Sequence, residues 1–290
     1  MNKEKKRVAG ISVFAAIFLT GFKFLIGILT GSLGLLSEAL HSGLDLIAAM
    51  ITYFSVSVSD TPPDRRHNYG HGKIENLSAF IETILLFITC IWIIYEAVHR
   101  LVTGETEILV NSWSYVVVIM SIVIDFSRSR ALSRVAKKYN SQALEADALH
   151  FSTDIWSSSV VLLGLICANF GYFFADAIAA LCVAIIVISV CYRLGKRSID
   201  VLLDKSPEKT TKIIEEILKN TACLNYYHSL SIRSSGADTF VSVNIHVKKD
   251  FTCQEAHNIC DTIESEIMKK VERSYVLVHV EPDDSYEIKT

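Results

Sequence analysis

The chain has 290 residues, of which 51% are hydrophobic and 20% charged, with a mean hydropathy of +0.36 and a formal net charge of −3. A soluble domain usually carries about 25% charged residues, and a nucleic-acid-binding domain needs a concentrated basic face, so this composition excludes both classes. The charge is also uneven, because residues 206–290 hold 24 of the charged side chains and the much longer stretch 1–205 holds 35. The sequence therefore predicts a membrane domain over residues 1–205 and a small soluble domain over residues 206–290.

Six stretches are long and apolar enough, or nearly so, to cross a hydrocarbon core about 30 Å thick, which takes about 20 residues. They are Val8–Leu29, Leu33–Val58, Ala79–Val98, Ser112–Phe126, Ala148–Phe170 and Tyr172–Tyr192. The fourth is cut short by Asp125, Arg128 and Arg130, and we retain it because an odd number of spans would put the basic loops on opposite sides. The prediction is an α-helical membrane domain with six transmembrane helices.

Lysine and arginine residues in short loops mark the cytoplasmic side of a membrane protein. With six spans, residues 1–7, 59–78 and 127–147 share one side and carry twelve of these residues, whereas the opposite loops carry Arg100 alone. Both termini are therefore predicted in the cytoplasm, in a multi-pass protein of the cell or inner membrane. The first span is not predicted as a cleaved signal peptide, because it is too long and contains Lys23.

The tail alternates between helical and strand periodicities. Helices are predicted over residues 208–220 and 253–271, and strands over residues 226–233, 239–247 and 274–280. This α-β-β-α-β order is typical of a small α+β domain with its helices on one face of a three-stranded sheet. The seven cysteines are scattered and form no C-x-x-C, which argues against a disulfide framework and against a thiolate zinc site.

Two of the predicted spans carry a histidine followed four residues later by an aspartate: His41 with Asp45, and His150 with Asp154. This spacing puts both side chains on one helix face. Ionisable residues in the bilayer centre cost at least about 2.5–3.5 kcal/mol on insertion scales, so they mark function. Two such helices facing each other supply two imidazoles and two carboxylates, a tetrahedral set suited to zinc. The alternative is two unrelated polar helix contacts.

A zinc enzyme is disfavoured, because the sequence has no H-E-x-x-H and four protein ligands leave no position for catalytic water. The protein is therefore predicted not to be an enzyme. A third cluster of potential ligands, Asp64, His67 and His71, lies in the loop after the second span, where the alternative is a solvated polar loop. The tail adds a fourth set, for which the alternative is ordinary surface residues: His228, His246, His257, His279 and Glu281.

Other polar residues in the predicted spans have simpler interpretations. Lys23 can extend its long side chain to the outer interface, and Asp125 is expected to pair with Arg128 or Arg130. Glu82 has no predicted partner.

Five motifs carry a family resemblance. They are Thr30-Gly31-Ser32, Leu40-His41-Ser42-x-x-Asp45, His67-x-x-Gly70-His71-Gly72-Lys73-x-Glu75, Leu144-x-Ala146-Asp147-Ala148-x-His150-x-x-x-Asp154 and Val278-His279-Val280-Glu281-Pro282. On these motifs the chain resembles, over essentially its whole length, the cation diffusion facilitator family of divalent metal/proton antiporters. The resemblance implies a homodimer of six-helix protomers, each with a metallochaperone-like cytoplasmic domain.

The resemblance also assigns roles to particular residues. It implies a transport site at His41, Asp45, His150 and Asp154, and a loop site at Asp64, His67 and His71. Lys73 and Asp204 match positions that form a charge interlock at the membrane face of the dimer, and His228, His257, His279 and Glu281 match metal-binding positions of the tail. The sequence departs from the family at Asn244, which stands where a histidine is frequent; His246 lies two residues later on the same strand face and is a candidate to replace it.

The expected function is export of Zn²⁺ driven by protons, because metal binding requires neutral imidazole and ionised carboxylate, so that protonation expels the metal. Histidine, with an ordinary pKa near 6.5, is suited to exchange that proton. The full pairing of histidine with aspartate resembles the zinc-preferring members. Two alternatives stay open: export of iron, cobalt, cadmium or manganese, and a metal-sensing membrane scaffold that does not transport.

Overall fold

The computed structural model describes residues 3–30, 33–103, 112–169, 174–222, 224 and 226–283. The chain divides into two compact units, Met1–Ile199 and Asp200–Thr290. Most of the loops predicted on the outer side, including residues 31–32, 104–111 and Gly171, lie outside the described residues.

Across the described residues, the first unit is built from six long helices. They are α1 (Lys3–Thr30), α2 (Leu33–Ser59), α3 (Lys73–Thr103), α4 (Ser112–Tyr139), α5 (Gln142–Asn169) and α6 (Phe174–Leu202), the last of which ends in the second unit. Three helical segments among the described residues are long and apolar enough to cross a membrane: Lys3–Leu29, Ala39–Ser59 and Lys73–Thr103. The other three spans stay a prediction.

Most helices run past the apolar stretches from which they were predicted. The fourth continues for thirteen residues beyond Phe126 and ends at Tyr139. The added segment contains alanine, leucine, lysine and arginine, which are strong helix formers, so hydrogen bonding continues where hydrophobicity ends. An apolar run therefore marks the part of a helix suited to lipid and not its full length.

The helices pack as neighbours along the chain, α1 beside α2 and α4 beside α5, while α3 lies against both α2 and α5. Helices α1 and α2 come close at Gly27, where an added methyl group would lie 3.1 Å from the backbone nitrogen of Leu36. A buried apolar cluster joins α1, α2, α4 and α5: Ala9, Val56, Leu132, Val135, Ala136, Ala143, Leu144, Ala148 and Phe151.

A buried ion pair ties the start of α1 to the start of α3. Lys5 Nζ lies 2.8 Å from Glu75 Oε1 and 2.9 Å from Asp60 Oδ1. The Glu75 carboxylate also accepts hydrogen bonds from the hydroxyls of Ser59, at 2.8 Å, and Ser141. This arrangement satisfies both oxygens of Glu75, which is what a buried charge requires.

The second unit contains α7 (Glu208–Asn220), β1 (Tyr226–Ser235), β2 (Asp238–Lys248), α8 (Cys253–Lys270) and β3 (Ser274–Asp283), which confirms the predicted α-β-β-α-β order. Strands β1 and β2 pair antiparallel, and β2 and β3 pair parallel, so β2 is the central strand. The parallel pair requires a crossover, and α8 provides it.

The two faces of this sheet differ. On one face, alternate residues of β2, including Val243 and Ile245, are fully buried against Ile214 of α7 and against Ile263 and Ile267 of α8. Because successive side chains of a strand point to opposite faces, Asn244 and His246 lie on the other face, which carries no helix among the described residues of this unit. The polar residues of the tail are thereby brought to one surface.

Candidate metal centres

The first candidate centre lies in the helical unit, where α2 and α5 face each other. His41 and Asp45 from α2 and Asp154 from α5 each offer a ligand atom, and these three atoms lie within 4.8 Å of one another. The spacing of four puts each histidine and its aspartate on one face of a helix. The set combines imidazole and carboxylate donors, which are zinc ligands.

His150 joins this centre from α5 in a different way. Its Nε2 atom lies 3.0 Å from Asp45 Oδ1 and 3.8 Å from Asp154 Oδ2, while its Nδ1 atom has no hydrogen-bond partner among the described residues. With a proton on Nε2, His150 donates to Asp45 and occupies the space between the two carboxylates. A metal ion and that proton therefore compete for the same carboxylate oxygens.

Lys23 lies near this centre, and the prediction that its side chain extends to the outer interface is wrong. It is buried, and its Nζ donates to Ser42 Oγ at 2.9 Å, in the residue next to His41. The hydroxyl of Thr20 donates to the carbonyl of Ser42 at 2.9 Å. The only indication in the sequence that Lys23 is buried is the apolar segment on either side of it, and nothing there indicates that it lies near an acidic centre.

A second buried charge group lies on α4. Arg128 Nη1 is 3.2 Å from Asp125 Oδ1, which confirms the predicted pair, and its guanidinium stacks on the Phe151 ring at 3.4 Å. The same guanidinium donates to Ser12 Oγ, and the Ser12 hydroxyl lies 3.4 Å from Asp147 Oδ2. Asp147, the first aspartate of the motif that runs from Leu144 to Asp154, thus belongs to a polar group distinct from the four expected ligands.

The second candidate centre is the loop between α2 and α3. The ligand atoms of Asp64, His67 and His71 lie within 4.8 Å of one another. Backbone N–H groups of His67 and Arg66 donate to Asp64 at 2.6 and 2.7 Å and hold the pKa of its carboxyl below its usual range. The turn depends on Gly70, whose φ of +74° few other residues adopt. The loop is therefore arranged around a charged carboxylate and two imidazoles, a donor set that fits a zinc ion.

The third candidate centre lies on the open face of the sheet in the second unit. His228, His246 and Glu281 offer atoms within 4.8 Å of one another, because His246 and Glu281 are paired residues of β2 and β3. The imidazole of His246 stacks under Tyr226 at 4.0 Å. Burial opposes ionisation of Glu281, but hydrogen bonding from Asn244 and contact with His228 outweigh it and hold the pKa of this carboxyl below its usual range.

The other residues expected in the tail site take different positions. Asn244, paired with His279 across the sheet, donates through Nδ2 to Glu281 Oε1 at 2.8 Å, so it orients the carboxylate. His279 Nε2 lies 3.7 Å from that same oxygen. The His257 imidazole is exposed on α8, and the structure places it 3.7 Å from Asp261, outside the group of three.

The predicted interlock concerns residues in different units. Lys73 is the first residue of α3. Asp204 belongs to the second unit, where its Oδ2 lies 3.9 Å from Arg233 Nη1. The interlock between Lys73 and Asp204 stays a prediction.

Comparison with known protein families identifies the class of this chain. The model of the cation efflux transmembrane domain matches residues 10–203, and that of the cation efflux protein cytoplasmic domain matches residues 206–283. The class is therefore that of integral membrane transporters for metal cations. The chain belongs to the cation diffusion facilitator family, as its motifs predict. Divalent metal efflux, and not an enzymatic reaction, is the activity that this membership supports.

Individual relatives extend over nearly the whole chain. An uncharacterised transporter of Methanocaldococcus jannaschii is 34% identical, over 96% of this chain and 99% of its own. The cation-efflux pump FieF of Shewanella oneidensis is 28% identical, over 96% of this chain and 94% of its own. Among solved structures, the metal-bound C-terminal domain of the CzcD transporter from Thermotoga maritima is 25% identical, over 26% of this chain and 87% of that domain, with a TM-score of 0.25.

Proposed function

We propose that this protein exports Zn²⁺ from the cytoplasm in exchange for protons, by alternating access around His41, Asp45, His150 and Asp154. The observation that carries the proposal is the convergence of three of these side chains within 4.8 Å, with His150 bonded to one carboxylate and close to the other. Two imidazoles and two carboxylates suit zinc better than they suit harder cations, which prefer oxygen ligands alone.

Proton exchange follows from the chemistry of His150. In the metal-free, protonated form, the His150 imidazolium carries a proton on each ring nitrogen. To bind a metal through Nε2 it must lose one of these protons, and the carboxylates must be ionised. A metal ion arriving from the cytoplasm therefore displaces a proton, and a proton arriving from the other side displaces the metal. The two gradients are coupled when the helices expose this one site to each side in turn.

The topology that we propose is six spans with both termini in the cytoplasm. The twelve basic residues on one side and the single one on the other support this orientation. The six helices contain 27 to 31 residues each. At 1.5 Å per residue, each is longer than the hydrocarbon core. The family of the cytoplasmic domain supports a homodimer, for which we retain the interlock of Lys73 and Asp204.

The loop and tail centres have a regulatory part in this proposal. Both are exposed to solvent at several residues, and both offer a carboxylate and two imidazoles, so they fit a zinc ion. The tail set is His228, His246 and Glu281, with His279 beside it, and His257 keeps the role of a ligand only if a second chain brings it near.

Flux measurements in proteoliposomes test the transport site. Asp154→Ala and His150→Ala each remove one ligand from a site with four, so zinc influx should fall to the level of empty liposomes. The control is Asp261→Ala, an exposed aspartate on α8, which should transport as the wild type does. Near-normal flux in either ligand variant would contradict the site. A folded wild type that binds zinc without transporting it would favour the alternative of a metal-sensing scaffold. A higher flux of another metal would make that metal, and not zinc, the preferred substrate.

A further inference from the structure

Glu82 is a buried carboxylate for which the transport site gives no role. It lies in α3, within a segment apolar and long enough to span a membrane, and is 2% exposed. Its Oε1 accepts hydrogen bonds from Thr52 Oγ1 at 2.5 Å and from Ser78 Oγ at 2.9 Å. Its Oε2 has no hydrogen-bond partner among the described residues. Half of the carboxylate is therefore solvated by hydroxyls and half is not.

Glu75 on the same helix shows what surrounds a buried carboxylate that has an ion-pair partner. It has the same 2% exposure, but Lys5 Nζ lies 2.8 Å from it and both of its oxygens are hydrogen-bonded. No lysine or arginine among the described residues forms an ion pair with Glu82. An ionised carboxylate without a cation is costly in a protein interior, so these surroundings favour the neutral form of Glu82.

The charged groups around Glu82 make this balance sensitive to the metal. On α5, the charges of Asp147 and of the ligand His150 both act on it. Asp147 is fully buried and its Oδ1 has no partner among the described residues, so it repels a second negative charge. From α2 the Thr52 hydroxyl donates to Glu82. On α6, Val183, Val187 and Cys191 pack against α3, and Gly195 lies beside Thr83.

The charge count in this part of the unit points in the same direction. Apart from the pair of Lys5 with Glu75, the described buried or nearly buried side chains of α1 to α5 include five carboxylates and only two cationic groups. With His150 protonated in the metal-free site they leave two negative charges, and exchange of that proton for a dication leaves one. The groups are Asp45, Glu82, Asp125, Asp147, Asp154, Lys23 and Arg128.

We propose that Glu82 is a second proton-binding residue of the exchange, separate from the metal ligands: it holds a proton when the transport site is empty of metal and releases it when the metal binds. The balance is simple, since Glu82–COOH becomes Glu82–COO⁻ and one H⁺ leaves to water as Zn²⁺ binds. The hydroxyls of Thr52 and Ser78 stabilise the ionised form, and the negative surroundings favour the neutral one. This proposal rests on the proposed function, because it requires a metal ion at His41, Asp45 and Asp154.

Proton counting in proteoliposomes of the full-length protein tests it, with zinc as the metal and a pH-sensitive dye inside. Glu82→Gln keeps the shape and one acceptor oxygen but cannot ionise. It should move about one proton fewer per zinc ion than the wild type and show a shallower dependence of zinc affinity on pH. Glu82→Asp should restore the proton. Glu145→Gln is the matched control, because Glu145 is an exposed glutamate 2.7 Å from Arg197.

An unchanged proton count in Glu82→Gln overturns the proposal. If that variant does not fold, infrared difference spectra of the wild type decide: zinc binding should remove the band of a protonated carboxyl group, and Glu82→Asp should shift that band. Spectra in which no such band is lost, or in which it is insensitive to Glu82→Asp, overturn it as well. If the wild type shows no zinc flux, the proposed function is contradicted. The infrared spectra then still test whether Glu82 releases a proton when zinc binds.

Discussion

The centre between α2 and α5 and the centre on the open sheet face use nearly the same donors in opposite surroundings. In the first, the side chains of His150, Asp45 and Asp154 are 5%, 13% and 16% exposed, and the donors compete with a proton for one position. In the second, His228 and Glu281 are 40% and 33% exposed, and only His246 is buried. In the buried first centre, a metal ion and a proton compete for the same carboxylate oxygens. In the more exposed second centre, water can hydrogen-bond the donors, so this competition is weaker. This difference supports the proposal that the first centre exchanges metal for protons and that the second has a regulatory role.

The strongest test of this contrast is Asp45→Ala against His246→Ala. Removing Asp45 deletes a ligand and leaves the buried Nε2 of His150 without its 3.0 Å partner, so zinc flux should fall to background. His246→Ala should retain transport at saturating zinc. Flux of both variants in proteoliposomes, with metal content measured by mass spectrometry, checks this. Equal losses in the two would remove the distinction between the centres.

Replacing His41 by aspartate should change selectivity more than rate. A third carboxylate makes the buried site harder and more negative, so the preference for zinc over cadmium, iron and manganese should weaken. Competition between zinc and each of these metals in the flux assay measures the change. An unchanged ranking would show that His41 does not determine selectivity, without affecting the site itself.

The tail centre can be tested in the Asp45→Ala background, which removes the transport site. His228→Ala with His246→Ala should lower the zinc bound per chain, as measured by isothermal titration on the full-length protein. His257→Ala is the matched control, since its imidazole lies outside the group within one chain. A comparable loss in His257→Ala would mean that this ligand is supplied by a second chain.

The smallest expected effect concerns the start of α8, which supports the face of the sheet opposite to the tail centre. Glu255 accepts hydrogen bonds from the backbone N–H and the hydroxyl of Thr252, which hold the pKa of its carboxyl below its usual range. The pKa of Glu255 is lower in the folded state than in the unfolded state. Its ionised carboxylate therefore stabilises the helix at pH values above the unfolded-state pKa, and this stabilisation is lost as the pH falls through the folded-state pKa. The protection factors of the α8 amides, which are corrected for the intrinsic pH dependence of hydrogen exchange, should therefore fall on acidification in the wild type and less so in Glu255→Gln.

Local features were predictable from the sequence and contacts between elements were not. The tail helix over residues 208–220 has the predicted bounds, because its apolar periodicity is decided within the segment. The two histidine–aspartate pairs are also evident from local sequence, since residues four apart lie on one face of a helix.

What the sequence did not indicate depends on which helices become neighbours. His150 bonds across to Asp45 and not to its own aspartate four residues later, and Lys23 reaches Ser42 on another helix. From the sequence, Asn244 is only a departure from a frequent histidine, whereas in the structure its amide donates to Glu281. Such roles require knowledge of the packing, because a polar residue in an apolar segment has the same local signal whatever it contacts.

The Lys5–Glu75 pair has a consequence for the order in which the protein is made. Lys5 leaves the ribosome 70 residues before Glu75, and the Ser141 hydroxyl that completes the carboxylate follows 66 residues later. During that interval α1 and α2 are synthesised with a lysine whose final partner does not exist. Asp60, 2.9 Å from Lys5 Nζ, is made before Glu75. Since an unpaired charge is costly in an apolar interior, we expect Lys5 to stay in water until one of these two carboxylates is available. We therefore expect this end of the helical unit to reach its final packing only after the chain has extended to Ser141, just before α5.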